Sequence, residues 1–259
     1  MIGAILAGGT GTRLRPMTKV TNKHLLPVYD KPMIAYPLQY LLSAGITEIF
    51  VVTGGEHFDA IGRLLGSGKN ACEELGLEGK IDSISFGVQD GAGGIAEALG
   101  LAKRFAGSDS ICVVLGDNIF QDSYFLHDAV RDFKSGGHIF LKNVPDEQLY
   151  EEKGGKRRTK YGMAELRNEK VIGIEEKPEK PKSNLVVTGA YIYNNSVFDF
   201  VKTLRPSARG ELEITDVNNY FVQKGGMRYS AIKGWWTDAG SVETLYRAQE
   251  LVHKNSKNL

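Results

Sequence analysis

Short runs that are apolar at almost every position, Ile2–Ala7 (IGAILA), Glu48–Thr53 (EIFVVT) and Ile111–Leu115 (ICVVL), each close on a glycine. A run with so few polar positions has no face to give to water. It predicts a strand covered on both sides, as in parallel sheets. Between the runs, Met33, Ile34, Leu38, Leu41 and Leu42 recur at helical spacing, with Gly45 placed as a C-cap. Ile95, Leu99, Ala102 and Phe105 mark a second helical face. Ser83–Gln89 and His138–Val144 read as strands, and Asp128–Lys134 as a helix. This alternation predicts an α/β fold, with a Rossmann-like, mostly parallel central sheet flanked by helices. Ligands of such sheets lie beyond the carboxyl ends of the strands, so the residues just after each run are the ones to inspect.

The second half has another texture. Tyr161–Leu166, Val171–Glu175 and Val186–Tyr193 read as strands with little helix between the first two, which predicts an inserted β-rich subdomain. Ser196–Leu204 and Ile214–Lys224 read as helices, Met227–Ile232 as a strand and Val242–Val252 as a terminal helix. The charged, glycine-bearing segment Glu151–Lys160 (EEKGGKRRTK) reads as a solvated loop. At 259 residues the chain is expected to be a single domain over 1–259, with parts of about 1–120 and 121–259.

Charge excludes some classes of function. Lys plus Arg total 32 against 31 Asp plus Glu, a net charge of +1, where a nucleic-acid-binding surface would show a basic excess. No window approaches ~18 apolar residues, so no membrane partner is expected. Met1–Ala7 has no basic leader, and the two cysteines, Cys72 and Cys112, fit a reducing compartment. A cytoplasmic location is expected. The histidines (24, 57, 127, 138, 253) lack the spacing of a zinc site.

The strongest local signal is Leu6-Ala7-Gly8-Gly9-Thr10-Gly11-Thr12-Arg13-Leu14, directly after the first run. Three glycines in four positions let backbone N–H groups approach an anion, the threonines add hydroxyl donors, and Arg13 adds a planar cationic fork. This is the composition of a phosphate cradle. A Walker loop would need Gly-Lys-Ser/Thr, which is absent. A dinucleotide fingerprint would need a third glycine where Leu14 stands. The loop does fit Gly-Gly-x-Gly-Thr-Arg-Leu at every position.

With that loop come, in order, Lys23-His24-Leu25-Leu26-Pro27, Asp30-Lys31-Pro32-Met33, Leu115-Gly116-Asp117-Asn118, Glu175-Glu176-Lys177-Pro178, Val187-Thr188-Gly189, Ser207–Asp216 (SARGELEITD) and Trp236-Thr237-Asp238-Ala239-Gly240. From Ile2 to about Leu251 the chain resembles the sugar-1-phosphate nucleotidyltransferase family. The resemblance implies an enzyme that joins dTTP, or UTP, to glucose 1-phosphate with release of pyrophosphate. It also implies a Mg²⁺ cofactor and a homo-oligomer, dimer or tetramer. The first part of the chain would then bind nucleotide and the second sugar. A binding module that has lost the chemistry is the rival from another class, and the retained cationic and acidic residues disfavour it. The longer relatives carry further C-terminal helices that complete a regulatory site, so feedback control is not expected of a chain like this one.

The same resemblance implies residue roles. Leu6, Ala7, Gly8, Gly9, Gly11, Thr12 and Arg13 would cradle the nucleotide, with Gln89 and Gly94 at the base. A Gln amide carries a donor and an acceptor side by side, matching the O4 and N3–H edge of thymine or uracil. Asp90-Gly91-Ala92-Gly93-Gly94 stands where the family loop commonly has a proline-containing, acidic version. Asp117 and Asp238 would hold the metal. Arg13, Lys23 and Lys177 would be the catalytic cations. Asn118, Tyr161, Gly162, Glu176, Lys177, Val187, Gly189 and Arg209 would face the sugar phosphate, with a salt bridge from Arg209 to Glu211 or Glu213 as its structural alternative. Trp235 and Trp236 are expected to pack around the Asp238 strand.

Overall fold

The computed structural model describes residues 1–153 and 155–256. In chain order the strands are β1 (Ile2–Ala7), β2 (Pro27–Val28), β3 (Lys31–Pro32), β4 (Glu48–Gly54), β5 (Ser83–Gln89), β6 (Ile111–Leu115), β7 (Asn118–Phe120), β8 (Gly137–Asn143), β9 (Tyr150–Lys153), β10 (Lys156–Thr159), β11 (Gly162–Arg167), β12 (Lys170–Glu176), β13 (Leu185–Tyr193), β14 (Met227–Ala231) and β15 (Trp236–Asp238).

The N-terminal half builds the parallel layer β5-β4-β1-β6, in which Ile5 lies beside Val51 on one side and Val114 on the other. β13 then runs antiparallel to β6, pairing Ala190 with Val114, and carries the sheet into the second half. On its other edge β13 pairs β8, which in turn pairs β14 in parallel. The start of β13 also meets β11, and β11 and β12 form the antiparallel arm of the β-rich part.

The apolar runs are explained by burial on both faces. Ile5, Ala7, Ile49, Val51, Cys112 and Val114 belong to one apolar cluster. Their neighbours Ala4, Leu6, Phe50, Val52, Ile111 and Val113 belong to another. Successive side chains alternate between two cores, one on each side of the sheet. The helix Ala35–Ser43 buries Leu38 and Leu41 in the first core and ends at Gly45, which is left-handed at φ 76° as a C-cap requires. Helices Ile95–Leu101, Val197–Val201 and Ile214–Gln223 cover the second core.

The charged segment 151–160 departs from the solvated loop expected of it. β9 and β10 pair antiparallel, with Arg158 opposite Glu151. Arg157 lies 4.0 Å over the Tyr150 ring. Cross-strand charge pairs and a stacked cation hold this hairpin where apolar residues are lacking. Gly154, within that segment, lies outside the described residues.

Candidate active site

The glycine loop leaves the carboxyl end of β1 at the middle of the sheet. Gly11 takes φ 62°, and its carbonyl accepts from Thr18 Oγ1 at 2.7 Å and from Leu14 N at 2.9 Å. The next three residues form the short turn Thr12–Leu14, which buries Leu14 completely and leaves Arg13 exposed. One apolar anchor therefore aims the guanidinium. Leu6 and Ala7 are buried at the end of β1 and carry the loop.

A line of close approaches joins this loop to the rest of the crevice. A Cβ on Gly8 would stand 2.5 Å from Gln89 Oε1, so only glycine lets β5 bring that amide against the loop. Gln89 Nε2 donates to the Gly94 carbonyl at 3.0 Å and to Glu97 Oε2 at 2.7 Å, which fixes the amide with its oxygen toward Gly8. Gly94 in turn packs on the Leu212 backbone. A Cβ on Gly9 would touch Lys23 at 3.4 Å, and Lys23 Nζ donates to Asp117 Oδ2 at 2.5 Å. Their side chains are 13% and 15% exposed, a largely desolvated pair.

The two distant aspartates meet because β15 pairs antiparallel with β7, setting Asp238 opposite Asn118. The Cβ position of Gly240 lies 2.8 Å from Arg13 Nη2, 3.3 Å from Asp238 Oδ2 and 3.5 Å from Asp117 Oδ2. A guanidinium and two carboxylates thus converge on one point. Burial raises the pKa of Asp238, the Asp117 charge raises it further, and Arg13 and the Tyr161 hydroxyl oppose the shift. Burial also acts to raise Asp117. There the Lys23 charge, with hydrogen bonds from Lys23 and Asn118, outweighs it and holds the carboxyl well below the usual range. Two neighbouring acids pushed in opposite directions mark a site built for charge.

Asn118 is the hub beneath them. Its Nδ2 donates to Asp117 Oδ1 at 3.0 Å, while its Oδ1 accepts from Gly189 N and from Trp236 Nε1, both at 2.8 Å. Gly189 sits at an irregularity in the β13–β8 register, and a Cβ there would come within 2.5 Å of the Asn118 amide. Gly189→Ala is therefore expected to cost about 1–3 kcal/mol, as overpacking a full site does, and to lower turnover by loosening Asp117. Thermal unfolding and a turnover assay check it; unchanged values in both would show that the hub can yield.

A cavity of about 650 Å³ opens from this point. Arg13, Asp117, Asn118, Tyr161, Gly162, Glu176, Lys177, Val187, Gly189, Arg209 and Asp238 line it. Leu6, Ala7, Gly8, Gly9, Gly11, Thr12, Lys23, Gln89 and Gly94 are not among the residues that line it. Tyr161 donates to Asp238 Oδ1 at 3.1 Å and stands edge-on to Trp236, with ring centroids 5.2 Å apart. Burial, and then the Asp238 charge, push its hydroxyl well up, so it stays a donor. Lys177 stands at φ 47°, a left-handed position costing a non-glycine residue about 1–2 kcal/mol, and its N–H donates to the Tyr161 carbonyl at 3.2 Å. Burial lowers its ammonium pKa, and Arg209 adds to that. Glu176 accepts from Thr215 Oγ1 at 2.6 Å. Arg209 reaches Glu211 at 2.7 Å and Glu213 at 2.8 Å, the salt bridges foreseen as its alternative, and it also borders the cavity, 3.7 Å from Glu176.

Sequence reasoning missed several wall residues. Glu151, Arg158 and Lys160 reach the cavity from the hairpin, whose charge run had pointed to solvent. Thr215 and Glu213 lie inside the Ser207–Asp216 motif, which could have flagged them. The hub role of Asn118 has no signal in spacing. His24 stacks under Gly116, close enough that a Cβ there would meet its ring at 2.5 Å. Burial and the Lys23 charge lower its pKa to about 3, so it supports the Asp117 turn as a neutral ring.

Comparison with known proteins follows the same lines. The family described as Nucleotidyl transferase matches residues 2–255. Glucose-1-phosphate thymidylyltransferase of Neisseria meningitidis serogroup A is 41% identical, with 100% of this chain and 85% of the relative covered. The protein of the same name from Mycobacterium tuberculosis is 40% identical, over 97% of this chain and 82% of the relative. Among solved structures, a Bacillus anthracis protein assigned as a glucose-1-phosphate thymidylyltransferase, in complex with a sucrose, superposes with a TM-score of 0.83. It is 47% identical, with 97% of this chain and 94% of that one covered. A UDP-glucose pyrophosphorylase complexed with UDP-glucose shares the fold at a TM-score of 0.81 and 24% identity, covering 98% and 99%.

Proposed function

The chain belongs to the nucleotidyl transferase family, and from that premise we propose that it is a glucose-1-phosphate thymidylyltransferase, converting dTTP and glucose 1-phosphate to dTDP-glucose and pyrophosphate. The observation that carries this reading is the meeting of Arg13, Asp117 and Asp238 at one point on the wall of a cavity that also holds Lys177.

A phosphate oxygen of glucose 1-phosphate attacks the α-phosphorus of the nucleotide in line, the new P–O bond forms, and pyrophosphate leaves with the electrons of the broken one. The second pKa of a phosphate monoester is about 6, so the nucleophile is already anionic and no general base is required. The barrier lies in bringing two polyanions together, which is a matter of positioning and charge. Arg13 and Lys23 neutralise the triphosphate and the departing pyrophosphate. Lys177 and Arg209 hold the sugar phosphate, and Glu176 accepts from a sugar hydroxyl. The β1 loop cradles the nucleotide, with Gln89 Oε1 facing the pyrimidine N3–H. In this division of labour the part before about residue 120 binds nucleotide and the later part binds sugar.

The donor set fits Mg²⁺: two carboxylates facing one point offer hard oxygen ligands, and Asp238 is raised first by burial and then by the Asp117 charge, so a cation there would favour its ionised form. Asp117 and Asp238 would hold it, and it would supply charge neutralisation at the phosphates. Among the described residues no helix is long and apolar enough to cross a membrane. Residence in the cytoplasm is proposed from the two free cysteines, Cys72 and Cys112, and assembly as a homodimer or homotetramer from the family resemblance.

Pyrophosphate release with glucose 1-phosphate, measured across dTTP, UTP, CTP, ATP and GTP, tests the proposal. We expect dTTP first and UTP second, separated by no more than ~200-fold, the limit for one methyl in a pocket. Faster release with a purine triphosphate, or none with any, overturns it.

A further inference from the structure

The helix Ile214–Gln223 buries Ile214, Val217 and Phe221, and two polar residues, Thr215 and Asn218, are buried with them. Asn218 is only 1% exposed, and its Oδ1 accepts from the Tyr193 hydroxyl at 2.6 Å. Tyr193 is itself fully buried and stacks on Phe221, so the phenol cannot move away from the amide. The other end of the amide, Nδ2, is buried without a hydrogen-bond partner, and Asn218 lines the 650 Å³ cavity. A buried donor left unpaired costs the fold stability, and such groups in native proteins call for an explanation. One turn earlier on the same helix, Thr215 holds the Glu176 carboxylate.

Resting on the thymidylyltransferase reading, we propose that Asn218 is a specificity-determining residue, whose Nδ2 donates to one hydroxyl oxygen of the sugar in glucose 1-phosphate. Glu176 and Asn218 then form an acceptor and a donor on the sugar side of the cavity. That is the pair needed to read hydroxyls, each of which gives one hydrogen and accepts another. With Oδ1 taken by Tyr193, Nδ2 is the end of the amide left to pair. The amide is paired only when the correct sugar is bound, so a sugar without that hydroxyl leaves it unpaired and is disfavoured.

The test is steady-state kinetics of Asn218→Leu and Asn218→Ala on glucose 1-phosphate and its 2-, 3-, 4- and 6-deoxy analogues, with melting temperatures recorded for both variants. Leu keeps the volume and Ala avoids any clash, so at least one folded variant is available. We expect kcat/KM for glucose 1-phosphate to fall about 10–100-fold, with KM for dTTP unchanged. One deoxy analogue should be used equally well by wild type and variant, because the contact is missing in both. A uniform loss across all five sugars, or a parallel rise in KM for dTTP, would make Asn218 a packing residue and overturn the inference. Wild-type inactivity on glucose 1-phosphate would instead overturn the functional reading, and this inference with it.

Discussion

Asp117→Asn and Asp238→Asn each lower pyrophosphate release at least ~10²-fold, the usual loss for one preorganised charge-stabilising group, and they shift stability in opposite directions. Asp117 is held ionised by Lys23 at 2.5 Å. A carboxyl lowered in the folded state stabilises it above its unfolded pKa, and that contribution is lost as pH falls below about 4. Neutralising Asp117 at pH 7 removes it and strands the Lys23 ammonium, at a cost of about 3 kcal/mol for breaking a largely buried pair. Asp238 is the reverse case, raised first by burial and then by Asp117. Above its folded pKa its ionised form works against folding. An Asn there removes that penalty, and its carbonyl can still accept from Tyr161. In metal-free buffer at pH 7, Asp117→Asn should melt below wild type and Asp238→Asn at or above it. Near-normal turnover in either variant, or equal falls in melting temperature, would contradict the proposed metal pair.

The contrast shows how much of this site could be read in the chain. β1, β4 and β6 and the loop after β1 were legible because each is written by local periodicity: runs buried on two faces, then glycines. Asp117 was legible because it stands just beyond β6, after Gly116. Its meeting with Asp238 was not, because it depends on one pairing, three residues long, between β7 and β15. Nothing local distinguishes Trp236–Asp238 from any other short strand, and the family motif alone placed it. Asn118 was expected to face the sugar phosphate and it lines the cavity, while its second role, with the amide oxygen accepting from Gly189 N and Trp236 Nε1, had no local signal. Asn218 carried no signal, since neither of the adjacent amides Asn218 and Asn219 stands out beside Ile214, Val217 and Phe221. Arg158 and Glu151 were read as solvent-facing because charged residues carry no period-2 apolar signal, although their cross-strand pairing supports a hairpin on the cavity wall.

Arg13→Ala separates catalysis from folding. Arg13 makes no hydrogen bond or ion pair among the described residues, while its neighbour Leu14 is fully buried and carries the turn. Removing the guanidinium should cost about 1 kcal/mol or less, the loss of a counter-charge that opposes the upward shift of Asp238, and lower kcat by ~10²–10³. Leu14→Ala should do the opposite first, costing about 2–5 kcal/mol as other buried leucines do. Arg13→Lys should recover only part of the rate, because a point charge cannot present two donors in one plane. The lost cation has a second effect. Arg13 opposes the upward shift of Asp238, so without it that carboxyl takes up a proton at higher pH. The acid limb of the pH–rate profile should therefore move to higher pH in Arg13→Ala and stay near its wild-type position in Arg13→Lys. A rate loss with an unmoved acid limb would place Arg13 on the phosphates but away from Asp238. A melting temperature that falls in step with activity would return Arg13 to a structural role and leave the loop as an ordinary turn.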